Sequence, residues 1–338
     1  MVILSKYPRI LKQKFLIIGS GGLLGNSLVS LFNQKKYNYV ASYNIKKPIC
    51  QTPKLIYCNL EKLSELIKIT KSIDKVFMCG GFVFTKNSGI TETEFFYKNI
   101  KIFLNLFKAC LINRVKSIIW ISSSSVYYNV KSKNFESSKK KIFNKSNVSS
   151  FYLFCERISN FINKFNLIKI IYIRTGNIFG ENDYFFNIKR SQVLPNLIRE
   201  IDNLKKGQKL NLNKNVVRDF VYANDLAKAM LIIANYKINL SPINFSSGKG
   251  LSLVCVSKKI AKILSKQNII INKSKKKDIR VLSNSKFNKH FKKFKRVNFD
   301  KIILKVIKVY KNEKKNTNLW SNRIYRKKYS KLFFKKKL

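Results

Sequence analysis

Histidine occurs once in the 338 residues, at His290, and the six cysteines never form a C-x-x-C pair. A zinc site or a disulfide framework is therefore not expected. No run of about 18 apolar residues occurs, so no membrane-spanning helix is expected either. The opening MVILSKYPRILKQK lacks the charged, apolar and small-residue order of a secretory signal, and the chain reads as cytoplasmic. Acids are scarce: 16 Asp and Glu stand against 69 Lys and Arg, a net charge of +53. Such a balance suits a nucleic-acid binder. Here the basic residues run through the whole chain beside abundant Asn, Ile, Phe and Tyr. These residues share A/T-rich codons with Lys, so composition accounts for the charge, and no specific nucleic acid is expected. Polyanions and anionic membranes should still be attracted non-specifically. No repeat with a period of about 20–50 residues is visible.

What the chain does contain is apolar material, 45% of its residues, enough for a substantial core. Short apolar runs predict parallel strands at Phe15–Ile18, Tyr39–Ser42, Lys54–Tyr57, Lys75–Met78, Ser117–Ser122 and Ile168–Arg174. Helical spacing falls between them, at Leu24–Asn33, Leu63–Ile69, Glu94–Leu111 and Phe151–Asn163. Strands alternating with helices predict an α/β fold, a doubly wound parallel sheet of Rossmann type. Beyond about residue 180 the pattern is less regular and reads as a smaller C-terminal α/β domain. The expected division is 13–180 for the domain of the parallel sheet, with 216–235 returning to it, 181–310 for the smaller second domain, and 311–338 for a basic tail.

The first strand runs directly into Gly19, Gly22 and Gly25, spaced G-x-x-G-x-x-G, and then into a helix. Glycine lets the backbone turn tightly against a pyrophosphate, and the helix points its N–H groups at the anion. Leu23 and Leu24 lie in the same turn. The second strand ends in Ser42-Tyr43-Asn44 with no carboxylate for an adenosine ribose, and Lys46 and Lys47 follow. Two cations there lean the expectation toward NADP over NAD.

Further motifs then appear in order. The run Val115-Lys116 through Ser122-Ser123-Ser124-Ser125-Val126-Tyr127 resembles the strand and serine turn of the extended short-chain dehydrogenases/reductases, the NAD-dependent nucleotide-sugar epimerases, dehydratases and reductases. Phe77-Met78-Cys79-Gly80-Gly81, Asn99 with Asn105-Leu106, Arg174-Thr175-Gly176-Asn177-Ile178-Phe179-Gly180, Arg218-Asp219-Phe220-Val221-Tyr222 and Ile243-Asn244-Phe245-Ser246-Ser247-Gly248 resemble five more motifs of that family. The resemblance spans about residues 13–310. Gly180-Glu181-Asn182-Asp183-Tyr184-Phe185 and Gln192-Val193-Leu194-Pro195 are most similar to the GDP-L-fucose synthase subgroup.

The resemblance implies NAD or NADP as cofactor, held by Gly19, Gly22, Leu23, Leu24, Gly25, Asn59, Leu60, Gly80, Gly81, Asn99 and Tyr152. It implies Ser123 and Tyr152 as the pair that holds and protonates the sugar oxygen. Ser123, Ser124, Asn177, Gln192 and Arg218 are implied for a nucleotide-diphosphate sugar, Asn177 and Arg218 at its phosphates. One departure stands out: the family's lysine, one helical turn after the tyrosine, is replaced by Glu156. A carboxylate there raises a phenol's pKa where an ammonium lowers it. Tyr97/Lys101, Tyr127/Lys131 and Tyr310/Lys314 have the Y-x-x-x-K spacing, but none follows the serine strand at a helix start. Ser125 and Gln192 stand where the subgroup has its epimerising cysteine and histidine. An enzyme on a nucleotide sugar is thus the leading expectation, and a dinucleotide-binding subunit without catalysis the alternative. Relatives imply a homodimer through the helices near Glu94–Leu111 and Phe151–Asn163. Phe95, Phe96, Ile102, Phe103, Leu106 and Phe107 on the first, with Phe154, Ile158, Phe161 and Ile162 on the second, are its candidate surface.

Overall fold

Four consecutive apolar residues, Phe15 to Ile18, are fully buried, as a strand covered on both faces requires. The chain is described by a computed structural model over residues 13–321, apart from residue 86 and residues 128–133, 139–146, 206–209, 211, 214, 267–270 and 273–277. The first half runs β1 (Phe15–Ile18), α1 (Leu23–Gln34), β2 (Tyr39–Tyr43), β3 (Leu55–Tyr57), α2 (Leu63–Thr70), β4 (Lys75–Met78), α3 (Glu92–Ile112), β5 (Ser117–Ser123), α4 (Asn147–Lys164) and β6 (Lys169–Thr175). It continues with β7 (Asn177–Phe179), α5 (Val193–Asp202), β8 (Leu212–Asn213), β9 (Val216–Tyr222), α6 (Ala223–Ala234), β10 (Ile243–Phe245), β11 (Gly250–Ser252), α7 (Leu253–Leu264), β12 (Ile271–Asn272), β13 (Asp278–Arg280), α8 (Ser285–His290) and α9 (Phe299–Ser321). No described helix is long and apolar enough to cross a membrane.

Seven strands form one sheet in the order β10-β6-β5-β4-β1-β2-β3, with every neighbouring pair parallel. Leu28, Val29 and Phe32 of α1 and Leu226, Met230 and Ile233 of α6 bury one face. Leu66 of α2, Ile102 and Leu106 of α3, and Cys155 and Ile162 of α4 bury the other. This is the doubly wound α/β architecture that the alternation predicts. Strand order reverses between β1 and β4, and the crevice beyond the carboxyl ends at such a switch point receives ligands in open α/β sheets. α3 begins where it does because Thr91 and Glu94 form a capping box: Glu94 N–H donates to Thr91 Oγ1 at 3.1 Å and Thr91 N–H to Glu94 Oε2 at 2.9 Å.

A smaller sheet, β11-β9-β13 with β7 also on β9, packs with α5, α7 and α9 around Phe179, Phe220, Ile198, Val256 and Ile303. Two expectations need correction. Residues 243–245, assigned to the second domain, form β10 at the edge of the large sheet; Ile243 and Phe245 are fully buried against the α6 face. The basic tail expected from residue 311 begins as helix instead, because α9 continues to Ser321. Tyr310 and Val306 bury its apolar stripe, while Lys301, Lys305, Lys308 and Lys311 face outward. The rest of that tail lies outside the described residues.

Candidate active site

At the carboxyl ends of β1, β4 and β5 lies a cavity of about 560 Å³ that runs from the glycine turn to β7 and β13. The turn is shaped for close approach. Gly19 has φ +76° and a side chain on it would lie 2.5 Å from Gly80 Cα, so only glycine fits. Gly19 and Ser20 N–H both donate to the Ser42 carbonyl, at 3.1 and 2.9 Å, which ties the turn to β2. α1 opens at Leu23 without a capping side chain. Its first-turn amides are therefore unclaimed within the helix and free for an anion. Gly21, which the three-residue spacing passes over, is as constrained as its neighbours: a Cβ there would sit 1.8 Å from the Lys46 carbonyl oxygen. The signal for it was the close approach of the β2 loop, visible only in three dimensions.

Gly19, Gly22, Leu23, Leu24, Asn59, Leu60, Gly80, Gly81, Asn99, Ser123, Ser124, Tyr152, Asn177 and Gln192 all line this one cavity. Gly25 does not, and instead abuts Gly19, its Cβ position being 2.1 Å from the Gly19 carbonyl oxygen. Asn99 is a positioning residue: its amide oxygen accepts from Phe82 N–H at 2.9 Å and its amide donates to Phe95 carbonyl at 2.8 Å, holding the strand end after β4. Asn59 Oδ1 accepts from Glu61 N–H at 3.0 Å. Ser123 Oγ accepts from Ser125 N–H at 3.1 Å, which turns the chain at the end of β5. Gln192 caps α5 in position only, leaving its amide unspent on the helix.

Tyr152 lies on the cavity side of α4 with Val148 and Phe151. Its ring is parallel to Trp120, centroids 6.5 Å apart and planes 4° apart, and 5.0 Å from Phe151. Burial against these rings pushes the Tyr152 hydroxyl up from 10 to about 12, with a smaller push from Cys155. Glu156 is different. It is not among the lining residues but lies in the core, where Arg174 Nε donates to Oε1 at 2.9 Å and Nη2 to Oε2 at 2.7 Å. Ser122 Oγ donates to Oε1 at 2.6 Å as well. Arg174 continues to the Tyr127 hydroxyl at 2.9 Å, and that hydroxyl donates to Asn244 Oδ1 at 2.7 Å. The expectation that Glu156 acts in catalysis on Tyr152 is therefore corrected. Its side of the helix faces β6, and both carboxylate oxygens are committed to Arg174.

Arg218 also needs correction. Its guanidinium donates to the Asp278 carbonyl at 2.8 Å and carboxylate at 2.5 Å, and it does not line the cavity. Its register partner in β13, Arg280, does. No motif marked Arg280; the pairing of β9 with β13 brings it in. His290 shares a 3.2 Å hydrogen bond with the Tyr236 hydroxyl and lies outside the cavity. Asp183, which does line it, has one oxygen on the Tyr184 N–H at 2.8 Å and the other buried without a partner. Burial raises its carboxyl from 3.8 to about 7, against the opposing pull of the Tyr184 amide and Lys46. The Lys46 ammonium lies over the Tyr184 ring, 5.1 Å from its centroid, and Arg190 lies over the same ring at 5.7 Å.

The residues present fit a nicotinamide dinucleotide. The glycine turn leaves no room for a side chain, and the hydroxyls of Ser42, Ser125 and Thr175 are buried around the cavity without partners. Residues 15–244 match the NAD dependent epimerase/dehydratase family, and the chain belongs to it. A dTDP-D-glucose 4,6-dehydratase of Dictyostelium discoideum is 26% identical over 275 residues, 74% of this chain and 62% of that relative. The chain thus matches less than two-thirds of that protein's length. Among solved structures, the UDP-glucose 4-epimerase of Thermotoga maritima superposes with a TM-score of 0.77 at 18% identity, over 89% of this chain and 99% of that one. A GDP-L-fucose synthetase of Naegleria fowleri bound to NADP gives 0.74 at 16% identity, over 90% and 94%. At these identities the superpositions speak for the fold.

Proposed function

We propose that the chain is an NAD(P)-dependent enzyme acting on a nucleotide-diphosphate sugar, as an epimerase, dehydratase or 4-keto reductase. The observation that carries this reading is the single cavity joining the glycine turn, Ser123 with Tyr152, and Asn177, Gln192 and Arg280. The glycine turn and the α1 amides would hold the pyrophosphate of the dinucleotide. When bound, its nicotinamide supplies or accepts the two electrons and hydrogen exchanged with a sugar carbon. Ser123 would hold the sugar oxygen, and Tyr152 would carry its proton. Arg280, whose Nε and Nη2 meet the Asp278 carboxylate at 3.1 and 3.5 Å, would turn its remaining N–H donors to the sugar's diphosphate.

On the cofactor, of the two cations that follow β2, Lys46 lines the cavity beside Tyr184 and Asp183, and Lys47 is not among its lining residues. Lys47 lies over the Tyr43 ring at 5.5 Å, at the end of β2. The lean toward NADP rests on these two cations. For the homodimer, Phe95, Ile102, Phe103, Leu106 and Ile162 belong to the chain's own core and drop out of the candidate surface. Of that expected surface Phe161 of α4 is exposed, edge-on to Phe165, and Tyr97 and Leu104 of α3, which were not among the expected residues, are exposed as well. These carry the dimer reading. Titration of the full chain with NADPH and NADH, followed by the change in nicotinamide fluorescence, tests the cofactor half. Calorimetry with dTDP-, UDP- and GDP-sugars tests the other. Absence of dinucleotide binding overturns the proposal.

A further inference from the structure

We infer that the nucleotide sugar this cavity takes carries an acyl group longer than acetyl, laid against the wall formed by α4 and the chain after β4. The inference rests on the reading above and narrows its substrate class.

The two sides of the cavity differ in chemistry. Asn177, Asp183, Arg190, Gln192 and Arg280 line the side of β7 and the second domain, where phosphates and hydroxyls find partners. The opposite side is hydrocarbon. Phe82, Val83 and Phe84 come from the chain after β4, and Val148, Phe151 and Tyr152 from α4. Val83 is 41% exposed and the other five are half-buried, so this is apolar surface left open to the cavity. It is also a preformed surface. Phe84 packs on Phe95 with centroids 6.1 Å apart, Phe95 stands edge-on to Phe151 at 5.6 Å, and Phe151 lies 5.0 Å from Tyr152. Trp120 backs Tyr152. Rings held by rings keep their places, and a pocket with such a wall binds hydrocarbon.

The described side chains of this wall hold two polar groups. The Trp120 indole N–H is spent on Ser159 Oγ at 3.3 Å, and the Tyr152 hydroxyl is the group proposed for the sugar oxygen. A hexose carries hydroxyls around its whole rim. Those turned toward the wall would leave water without gaining a partner, at a cost for each. A pyranose C–H face or a nicotinamide covers about one aromatic ring, and a methyl group touches one or two side chains. Three phenylalanines and two valines on two separate segments are more than either can cover. A chain of several carbons can, and it gains with every methylene buried. The other end of the ligand is fixed by charge, since the diphosphate lies toward Arg190 and Arg280. Thr85, next after Phe84, donates its hydroxyl to the Lys189 carbonyl at 3.0 Å. That bond ties the apolar segment to the one carrying Arg190 and Gln192, so one ligand meets both: anionic at one end and apolar at the other.

The test is calorimetry on the full chain with NADPH or NADH present. The ligands are hexosamines linked to UDP, dTDP and GDP, acylated on the 2-, 3- or 4-amino group with two, three, four or six carbons, beside the parent hexoses. For one position on one nucleotide, affinity should rise about fourfold with each methylene added beyond acetyl. Val83→Ser and Phe84→Ser should each flatten that rise, with affinity for the dinucleotide and for the parent hexose unchanged. Val83 is exposed enough for its replacement to spare the fold, so a rise flattened in that variant reports lost contact. Affinity that stays level or falls from acetyl to six carbons at all three positions, with the parent hexose bound, overturns the inference and leaves the nucleotide-sugar reading standing. A rise that survives both serine variants overturns it too, because the chain then lies elsewhere. Binding of none of the nucleotide sugars sinks both.

Discussion

Both carboxylate oxygens of Glu156 are held by Arg174, in a core where the two side chains are 4% and 1% exposed. Breaking such a pair by removing one partner costs about 3–5 kcal/mol, because the other charge is left buried and alone. Glu156→Lys, which sequence comparison suggests as a restoration of the family's lysine, should therefore set two cations together and lower the urea midpoint sharply. Glu156→Gln should lose less, since its amide still meets Ser122 and Arg174. Native-like stability of the lysine variant would show that the pair is not formed. Arg218 and Arg280 divide in the same manner. Asp278 is shared, with Arg218 at 2.5 Å and Arg280 Nε at 3.1 Å, so Arg218→Ala leaves it one cation and should reduce stability, whereas Arg280→Ala should weaken nucleotide-sugar affinity about tenfold or more at a smaller cost in melting temperature. Calorimetry and thermal melts on both variants check this. Asp183 makes a pH prediction. Its carboxyl titrates near 7 in the fold against 3.8 in the free chain, so the native state holds this proton more tightly than the unfolded one. Stability from this group is complete below about pH 4 and is lost as pH rises toward 7. Asp183→Asn should consequently be more stable than the native chain at pH 8, with the gain vanishing near pH 4.

Among the elements, the β-α-β units were legible because their signals are local. Phe15–Ile18 is an uninterrupted apolar run and α1 a helical stripe, and the observed bounds differ from the expected ones by a residue or two. The end of α4 was legible too, but its facing was not. Sequence places Glu156 one turn after Tyr152, and i to i+4 residues share a helix face only broadly. The partner that settles the matter, Arg174, comes from β6, 18 residues on. Arg280 was illegible for the same reason, since its place depends on β13 pairing with β9 across 62 residues of sequence. β10 was hidden because three residues, Ile243 to Phe245, are too few for periodicity. Gly21 shows what such long-range contacts demand. The Lys46 carbonyl oxygen occupies the space a side chain would need. Gly21→Ala should push the β2 loop away from the turn and weaken dinucleotide binding by about tenfold or more, at a cost to folding on the order of 1–3 kcal/mol. Fluorescence titration beside a thermal melt separates the two; unchanged affinity would mean that the loop does not shape the cofactor site.

For the whole molecule, the charge of +53 and the exposed aromatic patch on α3 and α4 act against each other. Phe161 is 61% exposed and Tyr97 65%, apolar surface that a second copy would bury. Each copy also brings its full positive charge, and repulsion between two such chains is long-ranged at low salt. The Debye length falls from about 30 Å at 0.01 M salt to about 8 Å at 0.15 M. Raising salt should therefore strengthen self-association through the patch, since screening weakens repulsion and leaves apolar burial intact. Binding to polyanions should respond in the opposite direction, because each phosphate contact releases counterions and loses affinity as salt rises. Light scattering across a salt series should show mass rising from one chain of 39.5 kDa toward twice that value. Phe161→Asp should hold it at one chain throughout. In the same series, binding of unrelated oligonucleotides should fall steeply and without sequence preference. A dimer that dissociates as salt rises would place its energy in charge pairs rather than in the α3–α4 patch. Oligonucleotide binding that keeps a sequence preference at 0.15 M salt would instead assign the positive charge a dedicated surface.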